Sequence, residues 1–315
     1  MRLIKHKTTI DFLGPTRRKI ALVFSALIVI GSIVSLFTHE RPLEFGIDFT
    51  GGILLEVGYP EAANLETIRS NLASAGFDDA RVQRFGADTD VLVRLPPQEG
   101  IEPDTLRDQL RTTVAAGTAG VELRRVEFVS PQVGKELTER GGLAMIMALL
   151  LIFVYVMVRF QWKFAAGAVA ALAHDVVVTV GFFSIFRFPF DLTVVAAVLA
   201  VIGYSLNDTV VAFDRIRENF FKLRGISAEE SMNTSINEML ARTLITGVTT
   251  LLVLVALLLL GGESIAPFSI ALIVGIVVGT YSSIYTASAT ALALGVNAQD
   301  LLEPVKDPDL IDDLP

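Results

Sequence analysis

Two carboxylates lie within otherwise apolar stretches of the chain. Asp175 follows His174 in one stretch, and Asp208 follows Asn207 in the next. An ionised side chain costs about 2.5 to 3.5 kcal/mol at the centre of a membrane helix, so a residue of this type at such a place usually has a function. We therefore interpret Asp208 as a candidate proton-binding group. For Asp175 with His174, a functional role and structural hydrogen bonding are equally open.

A basic residue with hydroxyls behind it lies close to these carboxylates in the predicted arrangement. Arg242 precedes a later apolar stretch and is followed at helical spacing by Thr246, Thr249 and Thr250, which share its face. Such a face opposite a carboxylate suits a proton or ion path, although hydrogen bonding between neighbouring helices is the simpler explanation for threonines. At 1.5 Å per residue, Asp208 lies about 24 Å from the external end of its stretch. Arg242 is at about that level, so we predict an ion pair or a shared hydrated pocket.

Six apolar stretches are long enough to cross a bilayer core of about 30 Å as helices. They cover residues 20–37, 141–158, 164–186, 192–213, 244–260 and 268–294. Apolar residues make up 52% of the 315 residues and charged residues only 19%, which excludes an ordinary soluble enzyme. The first stretch has no small-residue cleavage site before Thr38, so we interpret it as an uncleaved anchor rather than as a signal peptide.

The remaining composition excludes several kinds of site. The net charge of −8 offers no basic field for a nucleic acid. The chain has no cysteine, and its three histidines are scattered, so neither a disulfide nor a metal site is expected. We therefore expect no cofactor, no metal and no nucleic-acid partner.

Lysine and arginine residues predict the orientation in the membrane, because they concentrate in cytoplasmic connections. Residues 1–19 carry six of them, and the connections after the second and fourth stretches carry more, whereas the short connections on the opposite side hold only Arg187. Both termini are therefore predicted to be cytoplasmic, and residues 38–140 are predicted to be external. Residues 295–315, rich in Asp and Pro towards their end, are predicted to be a disordered cytoplasmic tail.

The external segment alternates strand-like and helix-like patterns. Strand-like runs cover residues 52–57, 81–85, 90–95 and 121–129. Apolar residues at helical spacing follow the first and the third run, at Leu65, Ile68 and Leu72 and at Leu106, Leu110 and Val114. The resulting order β-α-β-β-α-β predicts a ferredoxin-like α+β domain, in which helices cover one face of a four-stranded sheet.

A cytoplasmic amphipathic segment is predicted at about residues 214–241. Ser227 and Glu230 have the spacing of a capping box that opens a helix, and apolar residues follow on one stripe. We interpret this pattern as a short helix lying on the membrane surface, in preference to a partner-binding helix.

Several longer strings occur along essentially the whole chain. They are GIDFTGG at residues 46–52, PQVGKEL at 131–137, AHD at 173–175, VIGYSLND at 201–208, DRIREN at 214–219 and RTLIT at 242–246. Together with one membrane stretch, an external domain and five further stretches, these strings make the chain resemble the SecF family of the bacterial SecDF protein-export complex. That family belongs to the RND superfamily, so the resemblance implies half of an RND-type membrane body.

The resemblance also implies a function and partners. A protein of this family lies in the bacterial inner (plasma) membrane, with its external domain in the periplasm. It pairs with SecD, associates with the SecY–SecE–SecG channel, and has YajC as a further candidate partner. The complex uses the proton gradient to promote the export of preproteins, without covalent catalysis. SecD and SecF are fused in some bacteria, so a separate SecD is expected here.

The same resemblance implies roles for individual residues. Asp208 matches the membrane carboxylate of the family, and Arg242 matches its membrane arginine. Less certain members of the proton-coupling set are Asn207, Asp175, His174 and Thr246. The family motif after the first stretch supplies four further candidate site residues, Gly46, Asp48, Gly51 and Gly52. Taken alone, its glycines could merely shape the start of a strand.

Two alternatives of other classes stay open. A small-molecule or lipid transporter half would need an enclosed external pocket and two large external domains per complete body. An intramembrane aspartyl protease would need Asp175 and Asp208 to share a proton at one depth. The estimated depths differ, because Asp175 lies only about 16 Å from the cytoplasmic end of its stretch. The residues before Asp208 also depart from the Gly-x-Gly-Asp string of such proteases.

Overall fold

The computed structural model describes residues 8–38, 43–98, 101–223, 225–262 and 264–297. Within these residues, six helices are long and apolar enough to cross a membrane, as the sequence predicts. The elements in chain order are α1 (Pro15–Thr38), β1 (Glu44–Phe45), α2 (Ile47–Thr50), β2 (Gly52–Gly58), α3 (Leu65–Ser74), β3 (Arg81–Phe85), β4 (Ala87–Leu95), α4 (Pro103–Val114), β5 (Glu122–Val129), α5 (Pro131–Arg159), α6 (Trp162–Phe186), β6 (Pro189–Phe190), α7 (Leu192–Lys222), α8 (Ala228–Leu260), α9 (Ala266–Ser282), a π-helical turn (Ser283–Ala287) and α10 (Ser288–Ala293).

The domain between α1 and α5 has the predicted β-α-β-β-α-β order. Its four strands pair antiparallel in the order β3-β4-β2-β5, the order of a ferredoxin-like sheet. Inward-facing strand residues such as Leu55 and Val93 pack against the helix residues that the sequence pattern selected. Those six helix residues, Leu65, Ile68, Leu72, Leu106, Leu110 and Val114, all belong to this core, where all but Leu65 are fully buried. The prediction of the fold is confirmed.

The opposite face of the sheet is turned towards the membrane helices. Side chains of alternate strand residues, Leu54 and Glu56 on β2 and Leu92 and Arg94 on β4, line a cavity of about 700 Å³. The other wall of this cavity consists of the connection before α7 and the start of α9. The domain therefore stands with its helices outwards and its sheet over one end of the helical bundle.

A short junction ties the domain to the bundle. Strand β1 pairs in parallel with β6, which lies in the turn between α6 and α7. The side chain of Glu44 forms ion pairs with Arg81 on β3 and with Arg187 at the end of α6. The helical turn α2 packs on the start of α5, where the carbonyl of Phe49 leaves no room for a side chain at Gly134. Both α5 and α7 are thus fixed to the chain that leads into β2.

Helices α6, α7 and α9 form the packed centre of the bundle. Small residues let these helices approach closely: a Cβ at Gly275 of α9 would come within 2.1 Å of Val201 on α7. In the same way, a Cβ at Gly181 of α6 would overlap Ser32 of α1. The outward faces of α1, α5 and α8 carry most of the exposed large apolar side chains, as expected of surfaces that meet lipid or other membrane helices.

The predicted short helix at the cytoplasmic side is wrong in its extent. Helix α7 continues without a break to Lys222, and α8 runs continuously from Ala228 to Leu260. The N-cap of the predicted capping box is confirmed, because the Ser227 hydroxyl accepts a hydrogen bond from the backbone N–H of Glu230 at 3.1 Å. The amphipathic stripe of residues 228–241 lacks a breaking residue before the next apolar stretch. It therefore extends the fifth spanning helix and packs on α7 instead of forming a separate helix.

The segment before α1 packs against this extension of α8. Backbone N–H groups of Ile10 and Phe12 donate to the side-chain oxygens of Asn237 and Asn233 at 2.9 and 2.7 Å. Phe12 and Leu13 are buried between the helices. The prediction that residues 295–315 are disordered lies outside the described residues from residue 298 onwards.

Candidate functional site

Asp175 lies at the meeting point of three helices and is fully buried. Its Oδ2 accepts hydrogen bonds from the hydroxyl of Ser205 on α7 at 2.6 Å and from that of Ser282 on α9 at 2.7 Å. Its Oδ1 lies 3.0 Å from Nδ1 of the neighbouring His174 on α6. Both carboxylate oxygens therefore have a partner, and the bonds hold α6, α7 and α9 together.

Gly279 makes this arrangement possible. A Cβ added there would lie 3.1 Å from Cβ of Ser205 and 3.4 Å from Oδ2 of Asp175. The first distance is too close for an unstrained contact, so a side chain would push the serine away from the carboxylate. The glycine pair at residues 275 and 279 thus brings α9 close enough to donate its own hydroxyl.

Asp208 lies in a different environment on α7. Its side chain is 7% exposed, and Oδ2 has no hydrogen-bond partner among the described residues. It borders a cavity of about 10 Å³, which is roughly the room that one water molecule needs. The other lining residues come from α7, α8 and the π-helical turn: Ala212, Ile236, Met239, Leu240, Thr243, Ser283 and Ile284. Within the described part of the chain, neither a cation nor a hydrogen-bond donor pairs with this buried oxygen.

The two carboxylates are closer in depth than the sequence estimate suggests. Ser205, which contacts Asp175, precedes Asp208 by three residues of the same helix, a step of about 4.5 Å along its axis. The difference in depth estimated from the sequence is therefore too large, although α7 begins at Leu192, as counted, and α6 begins at Trp162, two residues before the start of the counted stretch. The Asp175 carboxylate nevertheless has three other hydrogen-bond partners, Ser205, Ser282 and His174. Among the described residues, no hydrogen bond joins the two carboxylates.

Arg242 lies on α8 within electrostatic range of Asp208, but its side chain is exposed. Among the residues that the structure describes, no hydrogen bond or ion pair joins its guanidinium to Asp208. The exposed side of α8 around it carries the two hydroxyls of Thr246 and Thr249 as well. In the isolated chain this polar face is open towards the surroundings of the bundle.

The threonines of α8 bond to their own helix. The hydroxyls of Thr246 and Thr250 donate to the carbonyl four residues earlier, at 2.8 Å in both cases, and that of Thr249 does so at 2.9 Å. Within the described residues these three bonds stay inside α8, and Thr250 also interacts with the phenol of Tyr204 on α7, as the simpler explanation from the sequence requires of a threonine. Each hydroxyl oxygen keeps free lone pairs that can accept a hydrogen bond from another group.

One candidate from the sequence lies apart from the two carboxylates, and three serines near them were not predicted as site residues. Asn207 is exposed on α7 and does not line the cavity beside Asp208. Ser205, Ser282 and Ser283 contact or border the carboxylates, and the sequence did not single them out as site residues. The signal that could have found two of them is their place just after Gly279, where close helix approach brings hydroxyls into the centre.

The motif GIDFTGG forms the junction at the other end of α7. The carboxylate of Asp48 accepts a hydrogen bond from the backbone N–H of Leu192, the first residue of α7, at 3.1 Å. Gly51 and Gly52 have positive φ angles of 71° and 118°, and a Cβ at Gly52 would lie 2.2 Å from the Leu95 carbonyl. The motif therefore needs glycine for its backbone and for its close approach to β4, as the strand-start interpretation requires.

Comparison with known proteins agrees with this architecture. Residues 109–297 match the family described as protein export membrane protein SecD/SecF, C-terminal, and residues 37–59 match the SecD/SecF GG motif. The chain is 51% identical to the protein translocase subunit SecF of Vibrio alginolyticus over 304 residues, which cover 96% of this chain and 95% of that protein. Its identity to the SecF subunit of Pseudomonas aeruginosa is 47% over 309 residues, or 98% of each chain.

Two solved structures of SecDF are similar to the whole arrangement. The crystal structure of SecDF from Thermus thermophilus superposes with a TM-score of 0.82 at 35% identity, over 93% of this chain. A SecDF structure in a super-membrane-facing form has a TM-score of 0.67 at the same identity and coverage. In both cases the chain spans only 39% of the SecDF chain. The chain therefore superposes more closely on the first of these structures than on the second.

Proposed function

The chain belongs to the SecF family of protein-export membrane proteins, and on that premise we propose that it couples the proton gradient to export through reversible protonation of Asp208. It is a multipass membrane subunit of the export machinery. The observation that carries the proposal is the buried Oδ2 of Asp208, which has no partner among the described residues and faces a cavity of the size of one water molecule.

The chemistry follows from the cost of burying charge. A carboxylate without a hydrogen-bond donor is stabilised in a low-dielectric site by taking up a proton, whereas a nearby guanidinium favours the ionised form. Arg242 is within electrostatic range, so a small displacement of α8 relative to α7 changes which form of Asp208 is favoured. Reversible protonation can thus drive a change in helix packing, and one charge that crosses 100 mV provides about 2.3 kcal/mol for it.

Asp175 and His174 have a supporting role in this proposal. Their hydrogen bonds to α7 and α9 fix the helices on one side of the site, while the unpartnered side at Asp208 is free to respond. Thr246 offers a hydroxyl on the exposed face next to Arg242, where a proton or water could be accepted. The chain itself performs no covalent step.

The partners in this proposal follow from the shape of the bundle. SecDF contains a further region beyond the part that this chain matches, and the open polar face of α8 would be covered by the corresponding helices of SecD. The complete complex would act beside the SecY–SecE–SecG channel, with YajC as a further associated protein, on preproteins in transit. We place it in the bacterial inner membrane, with both termini cytoplasmic and residues 38–140 periplasmic.

The decisive experiment compares two neutralised carboxylates of α7. Asp208→Asn keeps the size of the side chain but removes its titration, and Asp214→Asn does the same to an exposed carboxylate that pairs with Arg159. Both variants are placed in membrane vesicles with the other export subunits at matched levels, and the gradient-dependent stage of translocation is measured. We expect Asp208→Asn to lose that stage and Asp214→Asn to keep it. Normal gradient-dependent translocation with Asp208→Asn would falsify the proposal.

Topology is tested separately, since the chain has no cysteine of its own. Single cysteines at Asp88, in the external domain, and at Ile226, between α7 and α8, are exposed to a membrane-impermeant thiol reagent in intact cells. We expect the position at Asp88 to react and the position at Ile226 to react only after the membrane is opened. The reverse pattern would invert the proposed orientation.

A further inference from the structure

The start of α7 and the external domain share a set of contacts at the GIDFTGG motif. Asp48 caps the N-terminus of α7 through the backbone N–H of Leu192, and the N-terminal partial charge of the helix favours a carboxylate there. Asp191, the N-cap residue of α7, accepts a hydrogen bond from Val194 at 3.1 Å. The backbone N–H of Gly46 donates to the carbonyl of Phe190 at 2.8 Å. The motif is therefore bonded to the residue before Asp191 as well as to the residue after it.

Arg94 supplies a positive charge from the sheet, in the cavity that Asp48 and Asp191 also line. It lies on the face of β4 that is turned towards the membrane helices, and its Nε is buried without a hydrogen-bond partner in the described part of the chain. Burial lowers the pKa of its guanidinium, while the negative charges of Asp191 and Asp48 oppose that effect. A cation in the sheet therefore faces two carboxylates at the start of α7.

These contacts lie on the helix that also carries Asp208. Asp208 follows Leu192 by sixteen residues, which corresponds to about 24 Å of continuous helix. A displacement of α7 at Asp208 must therefore reach its capped end, because a packed helix moves as a unit and does not absorb the shift locally. Glu44 adds a second connection at the same place, since it pairs with Arg187 of the bundle and Arg81 of the sheet.

We propose that Asp48, which bonds to the backbone of Leu192 at the start of α7 and lines the same cavity as Arg94 of the sheet, is a positioning residue that transmits the movement of α7 to the external domain. This inference rests on the proposed function of Asp208 and adds to it a defined point of transmission. The junction stays closed during the cycle, and the domain follows the end of α7. Asp48 binds neither proton nor preprotein in this role.

The test measures movement as well as export. Spin labels are attached at Thr112 on α4 and at Ile265 before α9, in proteoliposomes that hold the complete export complex, and their distance distribution is recorded with and without a proton gradient. The variants are Asp48→Ala, which removes the hydrogen bond to the Leu192 N–H and the negative charge near Arg94, and Asp48→Asn, which keeps an oxygen for the Leu192 N–H but loses the charge. Asp88→Asn, an exposed carboxylate of the same domain that pairs with Arg84, is the matched control.

We expect the unmodified chain and Asp88→Asn to show a gradient-dependent change in distance and Asp48→Ala to show none. Since a capping acceptor is worth about 1 kcal/mol, Asp48→Ala should also lower gradient-dependent translocation roughly fivefold. Asp48→Asn should retain part of both effects. A purely structural role would lower the yield of the complex without removing the response of the molecules that assemble.

The outcomes separate the two proposals. If Asp208→Asn abolishes the distance change and Asp48→Ala and Asp48→Asn respond as the unmodified chain does, the transmission role is refuted and the proton-coupling role stands. If Asp208→Asn shows the same gradient-dependent change in distance as the unmodified chain, the proton-coupling role of Asp208 is refuted, and the transmission role that rests on it loses its premise. A loss in Asp48→Ala that Asp48→Asn partly restores supports transmission through the capped helix end.

Discussion

Asp175 and Asp208 lie about one helical turn apart in depth, yet their surroundings are opposite. Asp175 is bonded by two serine hydroxyls and lies beside a histidine nitrogen, whereas Oδ2 of Asp208 has no partner in the described part of the chain. A satisfied buried polar network makes one packing arrangement unique, and an unsatisfied group leaves a site whose energy depends on its protonation. Burial alone therefore does not identify a responsive carboxylate; the hydrogen-bond inventory does.

The largest difference should appear when each carboxylate is removed. Asp175→Ala leaves two buried hydroxyls without their acceptor and opens a void between three helices, so we expect a loss of about 3 kcal/mol in the free energy of unfolding. Asp208→Ala removes a group that lacks a partner at Oδ2, and we expect a change below about 1 kcal/mol. Unfolding in detergent micelles measures both. A larger loss for Asp208→Ala would reverse the comparison.

Two glycines on adjacent helices test the close packing around Asp175. Gly279→Ala forces Ser205 away from the carboxylate, and we expect a loss of about 1 to 2 kcal/mol. Gly203→Ala, on α7, meets nothing within 4 Å and should instead gain up to about 1 kcal/mol from helix propensity. The same unfolding assay applies. Equal effects of the two substitutions would show that the space beside Ser205 does not require glycine at residue 279.

The neighbouring serines of the sixth span give a smaller contrast. Ser282→Ala removes a hydrogen bond to the carboxylate of Asp175 and should cost about 1.5 kcal/mol. Ser283 donates to the carbonyl of Thr280 in its own helix, so Ser283→Ala should cost only about 0.5 kcal/mol. If Ser283→Ala costs more than Ser282→Ala, the Ser283 hydroxyl contributes to stability at the cavity beside Asp208 as well as within its own helix.

The smallest effect is expected at the exposed side of α8. Among the residues that the structure describes, Thr249 bonds only to carbonyls of its own helix, and it is exposed in the isolated chain, so Thr249→Val should change the free energy of unfolding by less than about 0.5 kcal/mol. The measurement is made on the isolated subunit. A large loss there would mean that this hydroxyl has a partner which the bundle itself does not supply.

Local features of the fold could be predicted from the sequence because their causes are local. The capping box at Ser227, the helix start near Pro103 and the alternation of the external strands depend on residues a few positions apart. The extent of α8 could not be predicted in the same way. An amphipathic stripe followed directly by an apolar one is compatible with two helices or with one, and only the packing on α7 decides.

The sequence predicts which carboxylates belong to the candidate site, but it does not predict their hydrogen-bond partners. The cost of charge in a membrane selects Asp175 and Asp208 from the sequence alone. Which hydroxyls reach Asp175 depends on the rotation and separation of three helices, and these follow from the fit of Gly275 against Val201 rather than from any spacing within one helix. The contact of Asp48 with α7 was likewise hidden, since 144 residues separate it from Leu192.

The π-helical turn after Ser282 gives the last span an uncommon property. A π-turn holds one residue more than the helical repeat, so it shifts the angular phase of everything that follows by about 100°. Ser282, just before the turn, bonds to Asp175, and Ser283, its first residue, borders the cavity beside Asp208. Consequently α10 presents to its neighbours a face other than the one that an unbroken continuation of α9 would present.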